Sequence, residues 1–158
     1  LFVTFTEEGV PSTADMTVKE NNLTMKVTYL DMEQKVVDVA SLQQGNSFVM
    51  AVDVTNTTFR LVNNLALTQM VPSGWEIQNT RLFEAGLQMK EASYEYRDFR
   101  DDRVYTYFSL RAGETKRFFI ILTASYRGNY SMPAVVCEAL YDGGISARRP
   151  GFDVVVKQ

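Results

Sequence analysis

Six charged residues crowd one stretch of seven: Arg97, Asp98, Arg100, Asp101, Asp102 and Arg103. Clustered carboxylates can bind Ca²⁺, which takes about six to eight oxygen ligands at a densely negative site. Here three guanidiniums interleave with three carboxylates, the charge cancels, and no metal is expected. Arg–carboxylate forks that fix the start of a strand are the expected use. Acid–base work by paired carboxylates needs a cleft around them, and the neighbouring residues indicate none.

Nucleophilic chemistry fares no better. The single cysteine, Cys137, lies in the apolar run Val135-Val136-Cys137, where a free thiol behaves as a small buried hydrophobe. A thiol nucleophile needs a base, and the chain has no histidine. One cysteine also excludes an internal disulfide. The expectation is a protein that is not an enzyme, with no cofactor and no small-molecule substrate.

Bulk properties narrow the class further. At 158 residues with 46% hydrophobic content, the chain fits one domain able to bury a real core. A net charge of −3 and a pI near 5.0 argue against a nucleic-acid partner, which requires a basic stripe. No apolar run reaches the roughly 18 residues of a membrane span. The opening Leu1-Phe2-Val3-Thr4-Phe5, without an initiator Met, reads as a piece of a longer polypeptide whose targeting signals lie upstream.

Period-two alternation dominates. It predicts strands over 22–33 (Leu23, Met25, Val27, Tyr29), through Phe48 to Val54, from Leu61 to Met70, and over Trp75-Glu76-Ile77 after the Pro72-Ser73-Gly74 turn. Further strands are predicted at 93–99, 103–110, 115–126, 129–141 and 152–157, with 142–151 as a loop. Residues 80–92 fit a short helix or an irregular loop. Short strands with Gly, Pro and Asn punctuation predict an all-β, antiparallel β-sandwich of about seven to nine strands, immunoglobulin- or fibronectin-III-like. Gly9-Val10-Pro11-Ser12 reads as a linker, so 1–19 is assigned to a connection from a preceding domain and 20–158 to the sandwich.

Two places on this scaffold invite contact with something outside it. In Arg117-Phe118-Phe119-Ile120-Ile121-Leu122, Phe118, Ile120 and Leu122 can face the core. Phe119 and Ile121 must then be covered by a loop of the same domain or by another domain. Tyr141 follows Val135, Cys137 and Ala139 in alternation and precedes Asp142-Gly143-Gly144. It either caps the core edge with a wet hydroxyl or presents a rigid ring to a neighbour.

The linked set Asp98-Phe99-Arg100-Asp101-Asp102-Arg103-Val104, Tyr126-Arg127-Gly128-Asn129-Tyr130, Pro133-Ala134 and Glu138-Ala139-Leu140-Tyr141 resembles the C-terminal macroglobulin-like domain of bacterial α2-macroglobulins. Gly9-Val10-Pro11, Tyr29-Leu30-Asp31, Gly45 and Val71-Pro72-Ser73-Gly74-Trp75-Glu76 extend the likeness over most of the chain. The resemblance implies a non-catalytic part of a large, cell-envelope protease trap, periplasmic or membrane-anchored through an upstream segment. Its partners would be the thioester domain and other domains of the same parent chain, with proteases as the targets of the whole. In that family an apolar and aromatic pair on this domain shields the thioester before bait cleavage. Leu140-Tyr141 stands where compared members carry Met-Tyr. The thioester itself would lie elsewhere, since a macroglobulin thioester needs Gln three positions after its Cys and Leu140 occupies that place after Cys137. A sandwich repeat of a surface adhesin or envelope scaffold is the alternative.

Overall fold

The structure, a computed structural model, describes residues 18–78 and 91–158. The 1–19 linker assignment and the short helix weighed for 80–92 therefore fall almost wholly outside the described residues. Thirteen strands and no helix are found among those described. They run β1 (Lys19–Asn21), β2 (Leu23–Asp31), β3 (Ser41–Gln43), β4 (Ser47–Asn56), β5 (Val62–Met70), β6 (Trp75–Gln78) and β7 (Tyr96–Phe99). The second half continues with β8 (Arg103–Leu110), β9 (Thr115–Ala124), β10 (Gly128–Met132), β11 (Val135–Ala139), β12 (Asp142–Arg149) and β13 (Phe152–Lys157).

The strands form a six-stranded sheet in the order β1-β12-β11-β5-β8-β7 and a four-stranded sheet in the order β2-β4-β9-β6. A small third sheet, β10-β13-β3, contains the only parallel strand pair among the described residues, β13 with β3. Side chains alternate across each pleat, so one face of every strand can be given to the core. Met25, Phe48, Met50, Val52, Phe118, Ile120 and Leu122 from the four-stranded sheet meet Leu65, Leu67, Phe108, Cys137, Ile145 and Ala147 from the six-stranded one. The third sheet adds Leu42, Met132, Val154 and Val156 to the same core. This is the expected β-sandwich.

Three departures from the sequence reading have physical causes. The strand expected over 129–141 is two strands, because Pro133 cannot donate to a ladder and breaks it after Met132. The expected loop at 142–151 is largely strand β12, hidden in the sequence because Gly143 and Gly144 carry no β-forming side chain. The short β1 and β3, three residues each, together with that split and with β12, raise the count to thirteen among the described residues, above the expected seven to nine.

The four-stranded sheet is apolar on both faces. Phe119 and Ile121 point away from the main core, and each is only 5% exposed. They form a second cluster with Leu30, Val49 and Ala51, with Met32 packed against it. Both side chains are thus buried within this chain.

Candidate functional site

Tyr141 does not end a strand. β11 stops at Ala139, β12 starts at Asp142, and Ala139 pairs with Asp142, so Leu140 and Tyr141 are the two central residues of a tight hairpin turn. Tyr141 is 85% exposed and Leu140 49% exposed, an aromatic and an aliphatic side chain side by side at the apex. The Tyr141 ring is therefore not a cap on this domain's own core.

Beneath the apex the two strands lose register. Glu138 pairs with Ser146 and Ala139 with Asp142, so one step along β11 spans four along β12. The excess is a bulge at Gly143, Gly144 and Ile145. It is tied down by its own side chain, since Asp142 Oδ1 accepts the Gly144 N–H at 3.0 Å. Asp142 Oδ2 accepts a bond from Arg60 Nη2 at 3.1 Å. The Gly144 N–H and the Arg60 guanidinium together hold the Asp142 carboxyl below the usual carboxylate range. The Asp142-Gly143-Gly144 segment, expected as the start of a loop, is hydrogen-bonded strand. A hollow of about 160 Å³ opens beside it between Lys19, Glu138, Asp142, Ser146 and Arg148.

The charge cluster divides in two. At the β7–β8 turn Arg100 Nε donates to Asp98 Oδ2 at 2.8 Å, and Arg103 forks onto Asp102 at 3.0 and 2.9 Å. The Arg100 N–H closes the turn on the Arg103 carbonyl at 2.8 Å. Asp102 lies below its usual range, held there by the Arg103 bond. These side chains are partly exposed, and Asp101 makes no ion pair among the described residues. Arg97 turns the other way. Its side chain is 7% exposed, forks onto Glu91 at 3.0 and 2.9 Å, and stacks 4.3 Å over the Tyr94 ring.

Glu91 is the structural residue that sequence reasoning missed. It lies at the edge of the ambiguous 80–92 stretch, and its second role, accepting the Phe119 N–H at 2.7 Å, joins segments 28 residues apart. No local pattern signals such a bond. Cys137 is fully buried, and burial, with a smaller push from Glu138, drives its thiol well above the ordinary range. Among the described residues no group of three or more Cys, Asp or Glu side chains could hold a metal ion.

With the geometry in place, the family match decides the larger context. The family of the bacterial alpha-2-macroglobulin MG10 domain matches residues 23–143, from the start of β2 to just past the tip. The chain belongs to this family. The adhesin-repeat alternative falls with that assignment.

Among curated relatives, the MG10 chain is 26% identical over 154 residues to an alpha-2-macroglobulin of Xylella fastidiosa, covering 89% of this chain and 9% of that protein. An alpha-2-macroglobulin of Rickettsia conorii is 24% identical over 129 residues, covering 79% of this chain and 7% of the relative. The MG10 chain thus spans less than a tenth of the length of the relatives it matches. Solved structures show the same fold. The native conformation of the Escherichia coli protein superposes with a TM-score of 0.82 at 20% identity, over 95% of this chain and 10% of that one. A native Escherichia coli fragment from domain MG7 to the C-terminus gives 0.81 at 17% identity, over 92% of this chain and 25% of that one.

Proposed function

We propose that this MG10 domain acts as a non-catalytic guard within an alpha-2-macroglobulin-like protease inhibitor of the bacterial cell envelope. Before activation it packs on the thioester domain of its parent chain, and Leu140 and Tyr141 shield the thioester. The observation that carries this is the exposed Leu140-Tyr141 pair at the apex of a hydrogen-bonded hairpin. A ring placed there gives up little side-chain entropy when a partner covers it. An acyl thioester lasts in water only while water and amines are kept from its carbonyl, and a stiff apolar pair suits that task.

Two relatives support the reading by their own behaviour. A Salmonella alpha-2-macroglobulin has been solved after reaction with methylamine, at 22% identity to this chain. An Escherichia coli one has been solved after activation by trypsin, at 21% identity. A small amine and a protease are the two agents that a guarded thioester should meet, the first slowly and the second by design. The guard must also let go, so the contact should be modest in area and partly polar. The charged margin of the tip, Arg60 and Asp142, fits that need.

Tyr141→Ala in the full-length parent tests the reading. Because the ring is exposed, folding should be near normal, with stability changed by no more than about 0.5 kcal/mol. The thioester should be lost early, as a free thiol or a methylamine adduct formed before any protease is added. A variant that keeps its thioester as long as the wild type leaves the domain a scaffold only.

A further inference from the structure

Leu140 and Tyr141 both have negative φ. The two-residue hairpin turns that match strand twist place positive φ at one or both central residues. This turn therefore lacks the backbone twist that best matches its strands. Groups from elsewhere hold it. The Leu140 N–H donates to the Asn64 carbonyl at 2.9 Å, and Asn22 Nδ2 donates to the Gly144 carbonyl at 3.0 Å. Arg60 grips Asp142, the first residue of β12.

Two of these anchors are in an unusual conformation themselves. Asn22 has φ 60° and Asn64 has φ 59°; among the described non-glycine residues only Gln34 shares this left-handed region. A Cβ disfavours it, and asparagine tolerates it better than most residues. Asn64 sits where β5 carries an extra residue against β8, and its carbonyl takes the Leu140 N–H one step beyond the Leu65–Ala139 pair, continuing the β5–β11 ladder into the turn. Strain kept at two separate points, one bonding the apex at Leu140 and the other the bulge beneath it at Gly144, is the pattern of a surface geometry that must be held.

We infer that Asn22, Asn64 and Arg60 are positioning residues that fix Leu140 and Tyr141 in their docking geometry before the partner domain arrives. This rests on the docking role proposed for the tip. Their worth is preorganisation, since a ring already in place loses less freedom on contact. Global stability is a poor explanation for Arg60, because an ion pair this exposed adds little to it.

The test uses the chain with 3-fluorotyrosine at position 141 and the double variant Asn22→Ala, Arg60→Ala. Exchange of the Leu140 amide should rise about tenfold. The fluorine signal should move towards that of free fluorotyrosine, while the melting temperature stays within about 3 °C. Restoring the charge with Arg60→Lys should recover part of the Leu140 protection, and the double variant in the full-length parent should take up methylamine several-fold faster before protease is added. Unchanged Leu140 exchange and an unmoved fluorine signal overturn the inference. If the double variant melts much earlier, Arg60→Ala alone decides, and failure of Arg60→Lys to restore Leu140 protection overturns it. The docking reading fails separately: Tyr141→Ala that retains its thioester sinks that reading, whatever the Leu140 amide does.

Discussion

The ring of Tyr130 fills the space that a side chain at Gly74 would need. A Cβ built on Gly74 would overlap the ring edge, and the Tyr130 hydroxyl is held in place by bonds to the carbonyls of Tyr126 and Arg127, at 3.1 and 2.9 Å. The Pro72-Ser73-Gly74 turn is thus locked to the β9–β10 connection, with Gly74 also accepting the N–H groups of Ser125 and Tyr126. Gly74→Ala should cost about 1–3 kcal/mol, as overpacking does. Denaturant unfolding measures it, and the cost should shrink in a Tyr130→Leu background because the two residues share one volume. Equal costs in both backgrounds would show that the ring simply moves aside.

Glu91 and Asp102 both pair with an arginine, yet their removal should differ sharply. Glu91→Ala leaves the Arg97 guanidinium buried without its partner, and also frees the Phe119 N–H. A loss of about 3 kcal/mol or more is expected. Asp102→Ala removes a half-exposed pair and should cost less than about 1 kcal/mol. Asp101→Ala should be neutral within about 0.5 kcal/mol. Urea unfolding of the three variants ranks them, and a neutral Glu91→Ala would show that Arg97 finds another partner.

The lowered Asp142 value makes the tip sensitive to acid. A carboxyl held below its unfolded value contributes stability in full above the ordinary Asp range, about 3.9. That contribution fades as pH falls through the folded value. The Gly144 amide shift should therefore titrate with a midpoint below the ordinary Asp range. In Arg60→Ala the midpoint should rise, because the second of its two main causes is gone. A midpoint that does not move would mean that the Gly144 bond alone sets the charge.

Cys137 offers an internal control for every thiol measurement on the parent protein. Buried, protonated and without histidine nearby, it should not react with a maleimide in the folded chain. One equivalent should react once guanidinium unfolds it. Labelling of native protein within minutes would show that β11 opens far more readily than its place in the core allows.

Much of this molecule was readable in advance, and the unreadable parts share a cause. The alternations of Leu23 to Tyr29 and Phe48 to Val54 mark β2 and β4 because one face of each strand is given to a core. Phe118, Ile120 and Leu122 were readable as core for the same reason. β12 was not, since its first residues belong to a bulge, where pairing rather than side-chain type makes the strand. The Leu140-Tyr141 apex was found to within a residue, but its supports were not. Arg60 meets Asp142 across 82 residues, and the left-handed φ of Asn22 and Asn64 leaves no mark in composition. Contacts that join distant segments, and backbone set by them, are invisible to period and propensity alike.

β1 gives the tip a mechanical neighbour. Its three residues are exposed and lie on the edge of the six-stranded sheet, paired only through Lys19–Arg148, Glu20–Ala147 and Asn21–Ser146 on β12, the strand that leads away from Tyr141. A pull on the chain before Lys19 therefore loads β12 ahead of every other strand in that sheet. Three pairs at an open edge carry little tension before they part, and an Arg149–Glu20 ion pair at 2.8 Å adds one more tie. The arrangement is a weak tether: three pairs and one ion pair join β1 to the strand that leads away from the apex.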